Sequence, residues 1–235
     1  MIQYICRIWV IFLALFMVAG CGNPGNKNEN AEREKGTMEP GVVKEQPARK
    51  KVILFFGNSL TAGYGLETGE AFPSLIQDRL DSLDLAYEVI NAGLSGETTA
   101  GGAGRIDWIL EQPVDIFVLE LGGNDMLRGL DVGETEKNLH GILETVKGKY
   151  PDIPIIIAGM KAPPNMGQEY TRQFEGIYPR LAKEFTAGLI PFFLEGVGGI
   201  DSLNLADGIH PNAKGQKIVR ENVWSVLENY LRDHG

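Results

Sequence analysis

The chain has almost no cysteine. Among its 235 residues only Cys6 and Cys21 carry a thiol, and both fall within the first 21. Nothing beyond Cys21 can be cross-linked by disulfides or hold a metal through thiolates. Histidine is nearly as scarce: His140, His210 and His234 are the complete set. Basic runs are missing too. Arg49-Lys50-Lys51 is the longest, and the net charge is −9. A nucleic-acid partner needs a concentrated basic face, so that class is excluded. No cofactor signature stands out. The glycines at 101, 102 and 104 do not directly follow a strand pattern, as a dinucleotide or phosphate loop requires. Carboxylates occur without a His or Cys cluster, so no metal is implied.

What the chain does have begins at the amino terminus. Ile8 to Ala19 is an uncharged apolar run after Arg7, too short for a confident membrane span and suited to a secretory signal. It ends in Val18-Ala19-Gly20-Cys21, which resembles the bacterial lipobox, with an ordinary signal peptide or an uncleaved anchor as the alternatives. On the lipobox reading residues 1–20 are a signal peptide and Cys21 carries the acyl anchor, which holds a protein to a membrane without spanning it. Gly22, rather than Asp, follows the cysteine. The bacterial cell envelope is then the expected location, the outer membrane favoured over the inner. Residues 21–49 are rich in Gly, Pro, Asn, Glu and Lys and read as a flexible tether. Such a chain has a root-mean-square span of about 30 Å.

From residue 50 to 235 apolar runs alternate with helical periodicity. Val52–Phe56, Tyr87–Asn91, Asp115–Leu121, Ile153–Ala158 and Leu189–Phe193 read as strands. Phe72–Leu85, Thr98–Leu110, Glu134–Lys149, Tyr170–Phe185 and Asn212–Leu231 read as helices. In the first helix Phe72, Leu75, Ile76, Leu80 and Leu83 form one stripe. This alternation predicts an α/β protein: a three-layer α/β/α sandwich around a flavodoxin-like, five-stranded parallel sheet, in a single domain. In such sheets ligands bind beyond the carboxyl ends of the strands.

Five stretches are predicted to meet at that rim: Gly57-Asn58-Ser59-Leu60, "NAGLSGETT" from 91, "GGND" from 122, "GMKAPPNMG" from 159 and "LADGIHPN" from 205. Ser59 is either a helix N-cap or a nucleophile, and a nucleophilic serine needs a base. The GxSxG elbow is absent around it. His140 lies among polar neighbours and reads as a solvated surface residue; His234 is next to the last residue. His210 stands three residues after Asp207, with Pro211 placed for the first turn of the closing helix. If the intervening turn is helical, Asp207 and His210 point the same way and Asp207 can accept from one ring nitrogen. A plain Asp-Gly turn fits the same residues. Gly96 and Asn124 suit donors to a developing oxyanion, and equally a turn and a helix cap.

Together these stretches resemble the GDSL-type, or SGNH, serine hydrolases. "FFGNSLTAGYG", "NAGLSGET", "ELGGNDMLRG" and "DGIHPNAKG" are similar to the four family blocks. The likeness is closest to the bacterial multifunctional thioesterase, arylesterase and lysophospholipase branch, with "IYPRLAKEF" and "PFF" adding to it. The resemblance implies that Ser59 is the nucleophile, His210 the base and Asp207 its orienting acid. It implies an oxyanion hole of the Ser59 and Gly96 amides and the Asn124 side chain. It also implies that the loop Met126–Leu130, with Leu127, forms a mobile wall and that the loop Lys161–Met166, with Pro163 and Asn165, helps shape the acyl pocket. The expected protein is a tethered monomer that needs no cofactor and takes small acyl esters or lipids. A carbohydrate O-deacetylase and a non-catalytic surface-binding lipoprotein are the alternatives. Asn58 departs from the family pattern, which has Asp there; Asn keeps the shape and loses the charge.

Overall fold

A computed structural model describes residues 49–232. The signal-peptide, Cys21 and tether expectations, and His234, lie outside those residues, apart from Arg49. The Arg49 guanidinium makes two 2.9 Å bonds to Asp115. The described residues belong to one compact unit, with one continuous core from Ile53 to Leu231.

The strands are β1 (Lys51–Gly57), β2 (Tyr87–Gly93), β3 (Ile116–Glu120), β4 (Ile155–Ala158) and β5 (Gly188–Ile190). All pair in parallel, in the order β2-β1-β3-β4-β5. The helices are α1 (Ser59–Ala62), α2 (Phe72–Ser82), α3 (Thr99–Ile109), α4 (Gly123–Leu127), α5 (Val132–Lys149), α6 (Gln168–Glu184) and α7 (Ala213–Arg232). This is the expected three-layer α/β/α fold. Alternation along β1 assigns the layers. The Phe55 ring meets Phe72 of α2 edge-on at 5.1 Å, and Phe72 meets Phe193. Phe56 points the other way, to Phe117 and the guanidinium of Arg105 on α3. α2 packs with α7, and α5 packs with both α3 and α6.

Several element boundaries differ from the sequence expectation, each for a local reason. α2 stops at Ser82, so Leu83 is its C-cap and is 53% exposed rather than part of the stripe. β5 ends at Ile190 because Pro191 follows and brings no N–H for a ladder. α6 starts two residues before Tyr170, immediately after Gly167 at φ +86°. Pro211 is outside α7. It forms an isolated bridge with Asn204, and Asn212 caps the helix by accepting from the Lys214 and Gly215 amides. Among the described residues no helix is long and apolar enough to cross a membrane.

Strand order positions the site. β1 sits between β2 and β3, so the chain leaves it toward both halves of the sheet, and this is the switch point where a crevice opens. The loops after β1, β2, β3 and β4 and the loop before α7 converge there.

Candidate active site

Ser59 is the first residue of α1, directly after β1. Asn58 builds the turn that presents it. The Asn58 side-chain oxygen accepts from the Leu60 amide at 2.9 Å, capping α1. Its Nδ2 donates to Glu120 Oε1 at 2.8 Å, and its backbone amide donates to Glu120 Oε2 at 3.2 Å. Thr61 Oγ1 donates to the same carboxylate at 2.7 Å. Glu120 is the last residue of β3 and is 1% exposed. Burial raises its pKa to about 7, against the lowering effect of bonds from Thr61 and Asn58. Gly57 has to be glycine here, because a Cβ would collide with Thr61 Oγ1 and with Glu120. The turn is therefore tied to the neighbouring strand through one buried carboxylate.

His210 comes from the far end of the chain, 151 residues away, and its Nε2 lies 2.9 Å from Ser59 Oγ. Its Nδ1 lies 2.7 Å from Asp207 Oδ2. The intervening turn is not helical. Asp207 Oδ1 accepts from the Ile209 and His210 amides at 2.9 and 3.0 Å, an Asx-type turn with Gly208 at φ +71°. Those two backbone bonds come first among the effects that lower the Asp207 pKa to about 2. An ionised carboxylate only accepts, so Nδ1 carries the proton and Nε2 is left as the acceptor. Ser59 Oγ has a second acceptor in Asn58 Oδ1, but at 3.4 Å that contact is weak, and the hydroxyl proton belongs on the line to His210. The Tyr64 ring lies 4.6 Å from the His210 ring, centroid to centroid.

The donors expected for an oxyanion are held by other contacts. The Ser59 amide is at the start of a helix, where N–H groups have no intrahelical partner. Gly96 is in the turn closed by the Glu97 amide and Leu94 carbonyl, with φ +82°, and Arg128 donates to its carbonyl. Asn124 Nδ2 donates to the Glu97 carbonyl at 2.9 Å, which fixes the amide plane and leaves its second N–H for a ligand. The turn is anchored underneath. The buried Glu97 carboxylate takes two bonds from Arg105, whose guanidinium also reaches the Ala92 carbonyl at 2.7 Å. Asp125 accepts from the amide and hydroxyl of Thr99, joining α4 to α3.

Beside Ser59 opens a cavity of about 570 Å³. Leu60, Met126, Leu127, Met160, Phe192 and Leu194 supply its apolar wall, and Lys161, Ala162 and Pro163 line it too. Ser59, Asn124 and His210 all face it. Two expected pocket residues do not. Leu130 lies past the end of α4, is 40% exposed, and accepts from Tyr170 through its carbonyl. Asn165 is exposed in the short turn Pro164–Met166. Met126 and Leu127 also belong to a helix, α4, rather than a loop. His140 is not a free surface residue: Glu184 lies 2.9 Å from one ring nitrogen and Glu144 3.4 Å from the other, which raises its pKa.

Sequence reasoning missed Glu120, Thr61, Glu97 and Arg105. Glu120 had a signal: it is a carboxylate inside the apolar run "DIFVLEL", and a charge in a buried strand needs partners. Phe192 and Leu194 gave none, because the register of the loop after β5 decides which side they face. Among the described residues no group of three or more His, Cys, Asp or Glu side chains could hold a metal ion.

Comparisons with known proteins point to one family. The GDSL-like lipase/acylhydrolase family profile matches residues 55–218. Esterase TesA of Pseudomonas aeruginosa is 38% identical over 191 residues, 81% of this chain and 94% of the relative. Thioesterase 1/protease 1/lysophospholipase L1 of Escherichia coli K12 is 39% identical over 182 residues, 77% of this chain and 85% of the relative. The crystal structure of the psychrotrophic esterase EstA from Pseudoalteromonas sp., inhibited by monoethylphosphonate, superposes with a TM-score of 0.72 at 32% identity, covering 77% of this chain and 99% of that one. The chain belongs to the GDSL-like lipase/acylhydrolase family and is a hydrolase of carboxylic esters.

Proposed function

We propose that this protein hydrolyses acyl esters, thioesters and lysophospholipids through an acyl-Ser59 intermediate, as a monomer tethered to the bacterial cell envelope by a lipidated Cys21. The observation that carries the catalytic part is the hydrogen-bonded line Asp207–His210–Ser59 opening on an apolar cavity.

Ser59 Oγ attacks the acyl carbonyl carbon as its proton passes to His210 Nε2. The imidazolium is stabilised by ionised Asp207. The substrate oxygen becomes an oxyanion and takes the Ser59 and Gly96 amides and the second N–H of Asn124. The tetrahedral intermediate collapses, and the leaving alkoxide or thiolate takes the proton from Nε2. Water, deprotonated by His210, then attacks acyl-Ser59 and releases the acid. The apolar wall holds the acyl chain, within the size range of small-molecule sites. The relatives' names span esterase, thioesterase and lysophospholipase. A phosphonate, the inhibitor in EstA, has the tetrahedral shape of the addition intermediate. The apolar lining favours an acyl chain over a glycan, so octanoyl ester should be turned over faster than acetylated xylan.

Hydrolysis of p-nitrophenyl acyl esters tests the mechanism. Ser59→Ala should lose at least about a thousandfold in kcat, and equal rates would refute it. A fluorophosphonate should label folded wild type at Ser59; failure to do so would leave a non-catalytic binder. For the tether, Cys21→Ala should move the protein from the membrane to the soluble fraction, and an unchanged distribution would overturn that part.

A further inference from the structure

Eight large apolar side chains stand out as exposed among the described residues. Leu83 and Trp108 lie near the ends of α2 and α3, on connections that lead back to the strands. The other six, Tyr64, Leu94, Leu127, Leu130, Ile200 and Ile209, are 40–52% exposed and follow the carboxyl ends of strands. Exposed apolar residues scattered singly need no explanation, but a group on one rim marks an interaction surface.

The six belong together through contacts. Tyr64 packs on His210, the residue after Ile209. Ile209 and Leu127 both line the Ser59 cavity, and Gly199, next to Ile200, lines it too. Arg128 bonds to the Gly96 carbonyl and so ties the Leu127–Leu130 segment to the turn that starts at Leu94. The group of exposed apolar side chains thus reaches the cavity wall at Leu127 and Ile209.

Charge selects the partner. Arg128 is exposed between Leu127 and Leu130, donates only to a backbone carbonyl, and has no carboxylate partner among the described residues. Of the rim's carboxylates, Glu195 is 3.6 Å from Lys161 and Asp207 holds His210, while Asp131, Glu67 and Glu70 bond to backbone amides and keep their charge. Asp201 also lies at this rim, next to Ile200. A guanidinium with no carboxylate partner among the described residues, between two exposed leucines in sequence, matches a phosphate headgroup above acyl chains.

We propose that this rim docks the enzyme, mouth down, on a phospholipid surface, so that an acyl chain passes from the lipid layer to Ser59 along apolar side chains. The proposal rests on the esterase reading only for its purpose; the docking is a separate property and is measured without turnover.

The test is flotation with phosphatidylcholine vesicles, using the chain from Gly22 onward, which lacks any anchor, in a Ser59→Ala background. The Ser59→Ala chain should float with the vesicles. Leu94→Asp combined with Ile200→Asp, two positions off the cavity wall, should weaken binding at least about tenfold, and Arg128→Gln by a few-fold. Trp108→Asp, on the opposite rim, should change nothing. In the active background the Leu94→Asp/Ile200→Asp protein should hydrolyse a soluble butyryl ester within about twofold of wild type, which confirms its fold. Vesicle binding that is absent, unaffected by the paired change, or equally reduced by Trp108→Asp would overturn the proposal. So would self-association through this rim in place of vesicle binding, seen by sedimentation.

Discussion

The two halves of the candidate active site are built in opposite ways. Ser59 is 7% exposed, and its turn is held by a buried carboxylate that lies 62 residues away in sequence, on another strand. His210 sits in a surface loop, and the bonds to its amide and Nδ1 come from Asp207, three residues back. One half is long-range and dry, and the other is local and wet. The difference teaches where each half is vulnerable. The serine turn fails through desolvation and unsatisfied donors; the histidine loop fails through loss of a proton's place. The pH windows are opposite as well. Glu120 binds its proton more tightly folded than unfolded, so its contribution to stability is full below about pH 4.5 and is lost as pH rises through about 7. Asp207 binds its proton less tightly folded, so its contribution is present above pH 3.8 and is lost as pH falls through about 2.

Four changes break or sharpen this contrast. The largest effect belongs to Asp207→Asn, which leaves no ionised acceptor for Nδ1–H and frees the wrong tautomer. We expect kcat to fall about a thousandfold with little loss of stability, read from ester hydrolysis and urea unfolding. A loss below tenfold would mean that His210 is oriented from elsewhere. Glu120→Gln comes second. It sets an NH2 group among donors from Asn58 and Thr61, and an unsatisfied buried donor costs about 1–3 kcal/mol. It should lower kcat about tenfold, as the serine turn loosens. It should also remove the Glu120 share of the decline in stability between about pH 4.5 and 7, on the order of 3 kcal/mol. If urea midpoints across that range decline as in wild type, Glu120 is not the titrating group.

Asn58→Asp is smaller in activity and sharper in pH. The new carboxylate would stand 2.8 Å from Glu120 Oε1, where two negative charges cannot coexist, so the pair must share one proton. Activity should stay within about tenfold at pH 6 and fall more steeply than wild type above pH 7. A pH–rate profile parallel to that of wild type would show that the carboxylates do not meet. Tyr64→Ala should have the least effect. Its ring covers one side of His210, and with Tyr64 half exposed the pair contributes at the low end of the aromatic range, about 0.5–1 kcal/mol, so a two- to fivefold drop in kcat/KM is expected. A larger loss would make the wet half depend on Tyr64 packing as much as on Asp207.

Much of this protein was legible before any coordinates. The strand–helix alternation follows from side-chain period and from the short loops it leaves, so the sheet and its layers could be read directly. The Asp207–His210 pair was legible because its members are three residues apart. Ser59 was legible only with His210, since each alone has a commoner explanation. The ends of α2 and β5 were misread because apolar Leu83 and Phe192-Phe193 continue the pattern after the backbone has stopped following it. The family resemblance placed Leu130 and Asn165 in the pocket, but Leu130 follows the short helix α4, Asn165 sits in the turn Pro164–Met166, and neither lines the cavity.

The sequence by itself determined the main strands and helices and the layer architecture, because periodicity and turn residues act within a few residues; the candidate reactive groups came from the family resemblance. Only the tertiary structure decided that Asn58, with no charge of its own, leans on Glu120. That contact requires β1 and β3 to be neighbours, and neighbour order is set by how the whole chain packs. The same holds for the cavity wall and the apolar rim. A leucine in a loop carries no mark of which way it faces until the surrounding strands have fixed the frame.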